Sequence, residues 1–235
     1  MRLSFRKTSL VDFPGKIAAC LFFPGCNLRC PWCYNRGLVL GEEPALVPLG
    51  DVVRHLAKRR AVLGGVVLSG GEPLVYELGN LIRRIKDLGL SVKIDTNGMA
   101  PASLEAILQD RETQPDYIAL DLKMAPRRYY GVLTGRGDPA SALPASAALV
   151  RVSGIPHEFR TLAFPDGFVA PEDVAALSAL VDDAPWYFRA FRPGNCLDPA
   201  WDAREPASAG DAEALARFAR SLGKQGIASS EGGIP

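Results

Sequence analysis

Short apolar runs and helical stripes alternate along the chain. "KIAACLFF" (16–23) is an apolar run stopped by Pro-Gly, the pattern of a buried strand. "LGDVVRHLAKRRAVL" (49–63) instead sets Val52, Val53, Leu56 and Ala57 along one helical face. The alternation then repeats. Strands are predicted over 65–71, 90–98, 115–123, 156–164 and 185–195, and helices over 74–89, 101–110, 144–154, 171–182 and 209–226. Gly89 closes the second helix, Pro101 opens the third and Asp211 is expected to cap the last.

Six strands, each followed by a turn and usually a helix, predict a parallel sheet with right-handed crossovers. Eight such units would close a full barrel. The expected architecture is therefore α/β, a partial (β/α)6 barrel, with an open doubly wound sheet as the alternative. One domain is expected over 1–226, with 227–235 a disordered tail.

Composition narrows the partners. Lys plus Arg is 27 and Asp plus Glu is 26, a net charge of +1, so no global field favours nucleic acid or an anionic membrane. No stretch approaches the roughly 18 apolar residues of a membrane span. The N-terminus has basic residues but no apolar signal segment, and a cytoplasmic protein is expected. The five cysteines are Cys20, Cys26, Cys30, Cys33 and Cys196. An odd number with three clustered argues for metal or redox use over a disulfide framework.

The cluster lies in "GCNLRCPWCYN" (25–35), spaced C-x3-C-x2-C. Structural zinc wants four ligands, so a fourth would have to come from Cys20, Cys196, His55 or His157. A thioredoxin-like Cys30/Cys33 pair lacks the expected helix start. Three close thiolates also suit three corners of a 4Fe-4S cluster, leaving the fourth iron open to a ligand. "SGGEP" (69–73) follows the second predicted strand, "DTNG" (95–98) the third, and "DLK" (121–123) ends the fourth. With the cysteine loop, all fall on the carboxyl rim, where ligands of both candidate folds gather.

With Trp32 before the last cysteine, the motif resembles the signature of the radical S-adenosylmethionine (SAM) superfamily. "SGGEP" is similar to its Gly-Gly-Glu-Pro motif, and "DTNG" and "LDLK" resemble the glycyl-radical-enzyme activases. "TSLVDFPGK" (8–16) and "EFRTLAFPDG" (158–167) resemble the activating proteins of anaerobic ribonucleotide reductase and their pyruvate formate-lyase relatives. The resemblance implies that Cys26, Cys30 and Cys33 hold a 4Fe-4S cluster on which SAM is reductively cleaved to a 5′-deoxyadenosyl radical. It implies SAM contacts from Trp32, Asn35, Gly70, Gly71, Glu72, Asp95, Thr96, Asn97, Asp121, Lys123 and Arg160. Glu72 and the glycine edge would take the SAM amino group, and Asp95 with Asp121 resembles a monovalent-cation site beside its carboxylate. The implied partners are a glycyl radical enzyme such as anaerobic ribonucleotide reductase and a flavodoxin- or ferredoxin-type reductant.

Plainer readings stand beside these. Gly70 and Gly71 suit any tight strand-to-helix turn, and Asp95, Thr96 and Asn97 suit a capped turn. Trp32 and Tyr34 fill the loop equally well. Cys20 is expected to pack as a small hydrophobe and Cys196 to be a free thiol. Tyr34 stands where many activases have His, and "WYFRAFRPGN" (186–195) has no His. A small-molecule radical SAM enzyme resembling 7-carboxy-7-deazaguanine synthase is the alternative, and a zinc module without catalysis a third reading.

Overall fold

Each central strand divides its side chains between two environments. Alternate residues such as Leu21, Leu68, Ile94, Leu120, Phe159 and Phe188 are fully buried in the main core. The residues between them, such as Cys20, Ser69, Asp95, Asp121, Arg160 and Arg189, line a cavity. That period-2 division places a helix layer against one face and keeps polar groups for the other.

The computed structural model describes residues 1–135 and 137–229. Its main strands are β1 (Arg2–Ser9), β2 (Ala18–Phe23), β3 (Gly65–Gly70), β4 (Ser91–Thr96), β5 (Tyr117–Asp121), β6 (His157–Ala163), β7 (Trp186–Ala190) and β8 (Gly226–Ser229). The helices are α1 (Leu49–Arg59), α2 (Gly79–Lys86), α3 (Pro101–Gln109), α4 (Pro139–Val152), α5 (Pro171–Ser178) and α6 (Ala209–Ser221). Strands β2 to β8 lie side by side in chain order, all parallel. A doubly wound sheet reverses its order at a switch point; this one never does. Units β2-α1 through β7-α6 are the six β/α units of the partial barrel, and the sheet stays open because its two end strands are not neighbours.

Several boundaries differ from the sequence expectation. β1 adds an antiparallel edge beside β2, and the short Val47–Pro48 strand pairs with it. Residues 227–229 are not tail: Gly226–Ser229 is a strand in register with Trp186–Arg189. Four residues are too few to show a pattern, and pairing with β7 orders them; the rest of the predicted tail, 230–235, lies outside the described residues. The predicted helix over 74–89 is a 3-10 turn at Pro73–Val75 followed by α2. α4 starts five residues early because Asp138 accepts from Ala140 N–H, and Pro144 is carried inside it. Ser208, not Asp211, caps α6; Asp211 completes a capping box by accepting from the Ser208 backbone.

Candidate active site

β2 delivers the chain to the rim, and Pro24-Gly25 turns it into the cysteine loop. Leu28–Arg29 pairs antiparallel with Thr134–Gly135 and braces one side. On another side the Trp32 indole sits among Phe164, Phe168 and Trp201, with ring centroids at 5.2, 5.5 and 5.1 Å. Trp32 is only 3% exposed. It lines the cavity, and its ring packs in this aromatic group, which anchors the loop.

The third support is the "SGGE" turn. Gly71 N–H donates to the Phe23 carbonyl at 2.8 Å and Glu72 N–H to the Gly25 carbonyl at 3.0 Å. A Cβ on Gly71 would lie 1.7 Å from the Gly25 carbonyl oxygen, and one on Gly70, at φ +108°, 2.4 Å from Phe23 N. The sequence offers these glycines either a ligand or a tight turn; the cysteine loop itself already requires them. Asn35 donates to the Gly70 carbonyl at 2.9 Å, closing the stitch from the far end of the loop.

Glu72 is also bound within the protein. It is fully buried, accepts from Leu74 N–H at 3.1 Å and Thr96 hydroxyl at 2.8 Å on Oε1, and accepts from Asn97 N–H at 2.8 Å on Oε2. Its carboxylate joins the ends of β3 and β4, a structural role beside the SAM-amino contact that the resemblance implies. Burial pushes its pKa up to about 7, against the hydrogen bonds from Asn97, Thr96 and Leu74. Glu72→Gln replaces an acceptor oxygen with a donor amide facing donors. We expect a loss of about 1–3 kcal/mol in urea unfolding at pH 8. A raised carboxyl pKa contributes stability below its unfolded value and loses it as pH rises through about 7. The gap between wild type and variant should therefore widen toward acid, and a gap constant from pH 5 to 8 would contradict this.

Asn97 bridges to the cysteine loop. Its Nδ2 donates to Asn27 Oδ1 at 2.7 Å and lies 3.6 Å from Cys26 Sγ, while Met99 N–H donates to its Oδ1 at 2.9 Å. Burial pushes the Cys26 thiol up to about 11 and the Cys30 thiol up to about 12, and also raises Cys33. Such thiols become thiolates when a multiply charged metal centre compensates them. Among the described residues no three Cys, His, Asp or Glu side chains group around a single ion. The donor set, three thiols on one cavity wall, fits a cluster whose irons take one thiolate each.

A chain of charges crosses the inner face below. Arg160 Nε donates to Asp121 Oδ1 at 2.7 Å, and its Nη1 is 3.4 Å from Asp95 Oδ1 and 3.9 Å from Glu158 Oε1. Lys123 Nζ donates to Asp121 Oδ2 at 2.9 Å and Lys93 Nζ to Asp95 Oδ1 at 2.5 Å. Burial alone would raise both aspartates; Arg160 with Lys123 holds Asp121 well below the usual carboxylate range, and Arg160 with Lys93 lowers Asp95. Sequence reading missed Lys93, Glu158 and the Tyr117 hydroxyl that donates to Glu158 at 3.0 Å. The signal was present, since Lys93-x-Asp95 has the same strand spacing as Asp121-x-Lys123. At the cavity floor Cys20 Sγ donates to Asp12 Oδ2 at 3.2 Å, a polar partner that a simple hydrophobe would not need.

All fourteen residues expected at the site line one cavity of about 680 Å³, together with Arg189, Arg192 and Asn195. Residues 20–173 match the radical SAM superfamily. A protein of Methanocaldococcus jannaschii named as a glycyl-radical enzyme activating enzyme is 28% identical over 81% of this chain and 79% of its own. A 7-carboxy-7-deazaguanine synthase of Rhodospirillum rubrum is 35% identical, and a pyruvate formate-lyase-activating enzyme of Clostridium pasteurianum 32%, each match covering 57% of both chains. A radical SAM methyltransferase from Sphaerobacter thermophilus shares the fold at a TM-score of 0.67 and 13% identity, over 97% of this chain and 76% of that one.

Proposed function

The chain belongs to the radical SAM superfamily, and from that premise we propose that it is a glycyl-radical-enzyme activase. The observation that carries the catalytic reading is the convergence of the cysteine loop, "SGGE", "DTNG" and "DLK" on one cavity. The activase branch is supported by the Methanocaldococcus jannaschii relative, whose match covers 81% of this chain.

In this reading Cys26, Cys30 and Cys33 would hold the 4Fe-4S cluster, and Asn35, Gly70, Gly71, Asp95, Asp121, Lys123 and Arg160 would bind SAM. When bound, cluster and SAM supply one-electron reduction of the sulfonium and a 5′-deoxyadenosyl radical that abstracts hydrogen from a partner's backbone glycine. The chain's own work is positioning. Cys30 is buried within the loop, and Lys123 and Arg160 present positive charge toward the SAM carboxylate. The partner is a glycyl radical enzyme such as anaerobic ribonucleotide reductase, and the electron comes from a flavodoxin or ferredoxin in an anaerobic cytoplasm. Among the described residues no helix is long and apolar enough to cross a membrane.

One observation favours the alternative. Arg189 lines the cavity, and its Nε is buried without a hydrogen-bond partner. A small acidic substrate, of the kind a 7-carboxy-7-deazaguanine-synthase-like enzyme would take, supplies the missing anion; a backbone glycine does not.

Anaerobic reconstitution should give about four iron and four sulfide per chain, and SAM with dithionite should then yield 5′-deoxyadenosine. Adding the anaerobic reductase should produce a glycyl radical signal by electron paramagnetic resonance. Turnover of a free acidic metabolite with no such signal would favour the small-molecule reading, and zinc without sulfide would sink both.

A further inference from the structure

The resemblance implies a monovalent cation between Asp95 and Asp121, and the side chains around that pair do not fit one. Such an ion needs carboxylate oxygens that are still available. Asp121 has given one oxygen to Arg160 and the other to Lys123, at 2.7 and 2.9 Å. Asp95 Oδ1 already faces Lys93 at 2.5 Å and Arg160 at 3.4 Å, so the pair keeps one carboxylate oxygen, Asp95 Oδ2, clear of these three cations, fewer than an ion held between two carboxylates would use. Lys93, Arg160 and Lys123 together balance Asp95, Asp121 and Glu158, so an added cation would bring an uncompensated charge into a buried site.

Lys93 is the unusual member. It is 2% exposed, and buried lysines are rare unless paired. It stands two residues before Asp95 on β4, on the same inner face, one step deeper than the rim. Its ammonium lies 6.0 Å from the Tyr117 ring centroid, and the Tyr117 hydroxyl is itself turned to Glu158. Its stem is thus enclosed and its charge directed at Asp95.

We infer that the Lys93 ammonium is a built-in substitute for that cation, neutralising and orienting Asp95 from below, so that SAM binding needs neither sodium nor potassium. The inference rests on the SAM reading of the cavity. Lys93 is not among the residues that line the cavity; it is a positioning residue acting through Asp95.

The test is SAM affinity of the anaerobically reconstituted protein by isothermal titration calorimetry. It is measured in tetramethylammonium buffer, then in sodium and in potassium at equal ionic strength. Wild-type affinity should agree within about twofold across the three. Lys93→Met should weaken SAM binding about tenfold in tetramethylammonium and recover most of it in sodium or potassium, while Lys93→Arg stays insensitive to the cation. A wild-type affinity that rises tenfold with sodium or potassium would overturn the inference, and that arm decides alone if Lys93→Met fails to fold. A folded Lys93→Met that binds like wild type, or weakly whatever the cation, would overturn it too. No SAM binding by wild type in any buffer would instead sink the SAM reading, and this inference with it.

Discussion

Gly71→Ala is expected to abolish cluster assembly while Gly131, far from it in the sequence, tolerates the same change. The new Cβ would lie 1.7 Å from the Gly25 carbonyl oxygen and 2.6 Å from its carbon, both backbone atoms. Ordinary contact begins beyond about 3 Å, so the two segments must separate by more than about 1 Å. No rotamer change relieves this, because neither partner is a side chain. Separation breaks the bonds from Gly71 N–H to Phe23 and from Glu72 N–H to Gly25. It also shifts Cys26 relative to Cys30 and Cys33, which Trp32 and the Leu28–Arg29 pairing hold independently. Misplacement on that scale costs about a hundredfold in rate. Iron per chain and 5′-deoxyadenosine formation should fall together. Gly131→Ala, with nothing within 4 Å of its Cβ, is the control. Full iron loading and turnover in Gly71→Ala would refute the stitched-loop account.

Arg160→Leu carries the second large effect. It removes the one side chain that, among the described residues, reaches Asp95, Asp121 and Glu158 together, leaving Lys93 and Lys123 against three carboxylates. Breaking a buried charge network from one side costs about 3–5 kcal/mol, mostly through the partners left uncompensated. Urea unfolding at pH 7 should show that loss. Asp121 and Asp95 have lowered folded pKa values, so their contribution is present above the unfolded carboxyl value and disappears as pH falls toward the folded one. The gap between wild type and Arg160→Leu should accordingly be full at neutral pH and narrow below about pH 4. A gap of equal size at every pH would mean lost packing rather than charge.

Much of this is legible in the amino-acid sequence. Apolar runs bounded by Pro and Gly mark β2 to β7, because strands buried against helices have little freedom in composition. The motifs mark the rim because each directly follows one of those strands. What escaped was pairing. β8 is too short to signal itself and exists through β7. The "SGGE" glycines were legible as required, but what requires them is the backbone of Phe23 for Gly70 and of Gly25 for Gly71, contacts across 47 and 46 positions that spacing does not reveal. Glu72 was legible as buried-motif chemistry, yet its three donors come from "PL" beside it and from "TN" on the next strand. Lys93 was passed over because a lone lysine in a strand reads as solvent-facing until the sheet's inner face is known to be polar.

The stitching of the cysteine loop has a bearing on its life with oxygen. Small metal domains often collapse when the metal leaves, because the metal is what folds them. Here the loop is held by Gly71, Glu72, Asn35, Asn97 and the Trp32 cluster, and none of those contacts uses a thiol as its only partner. Destruction of the cluster by air would leave a standing receptacle, three sulfurs still in place on a folded chain. Repair then becomes a matter of delivering iron and sulfide again rather than of refolding or replacing the protein.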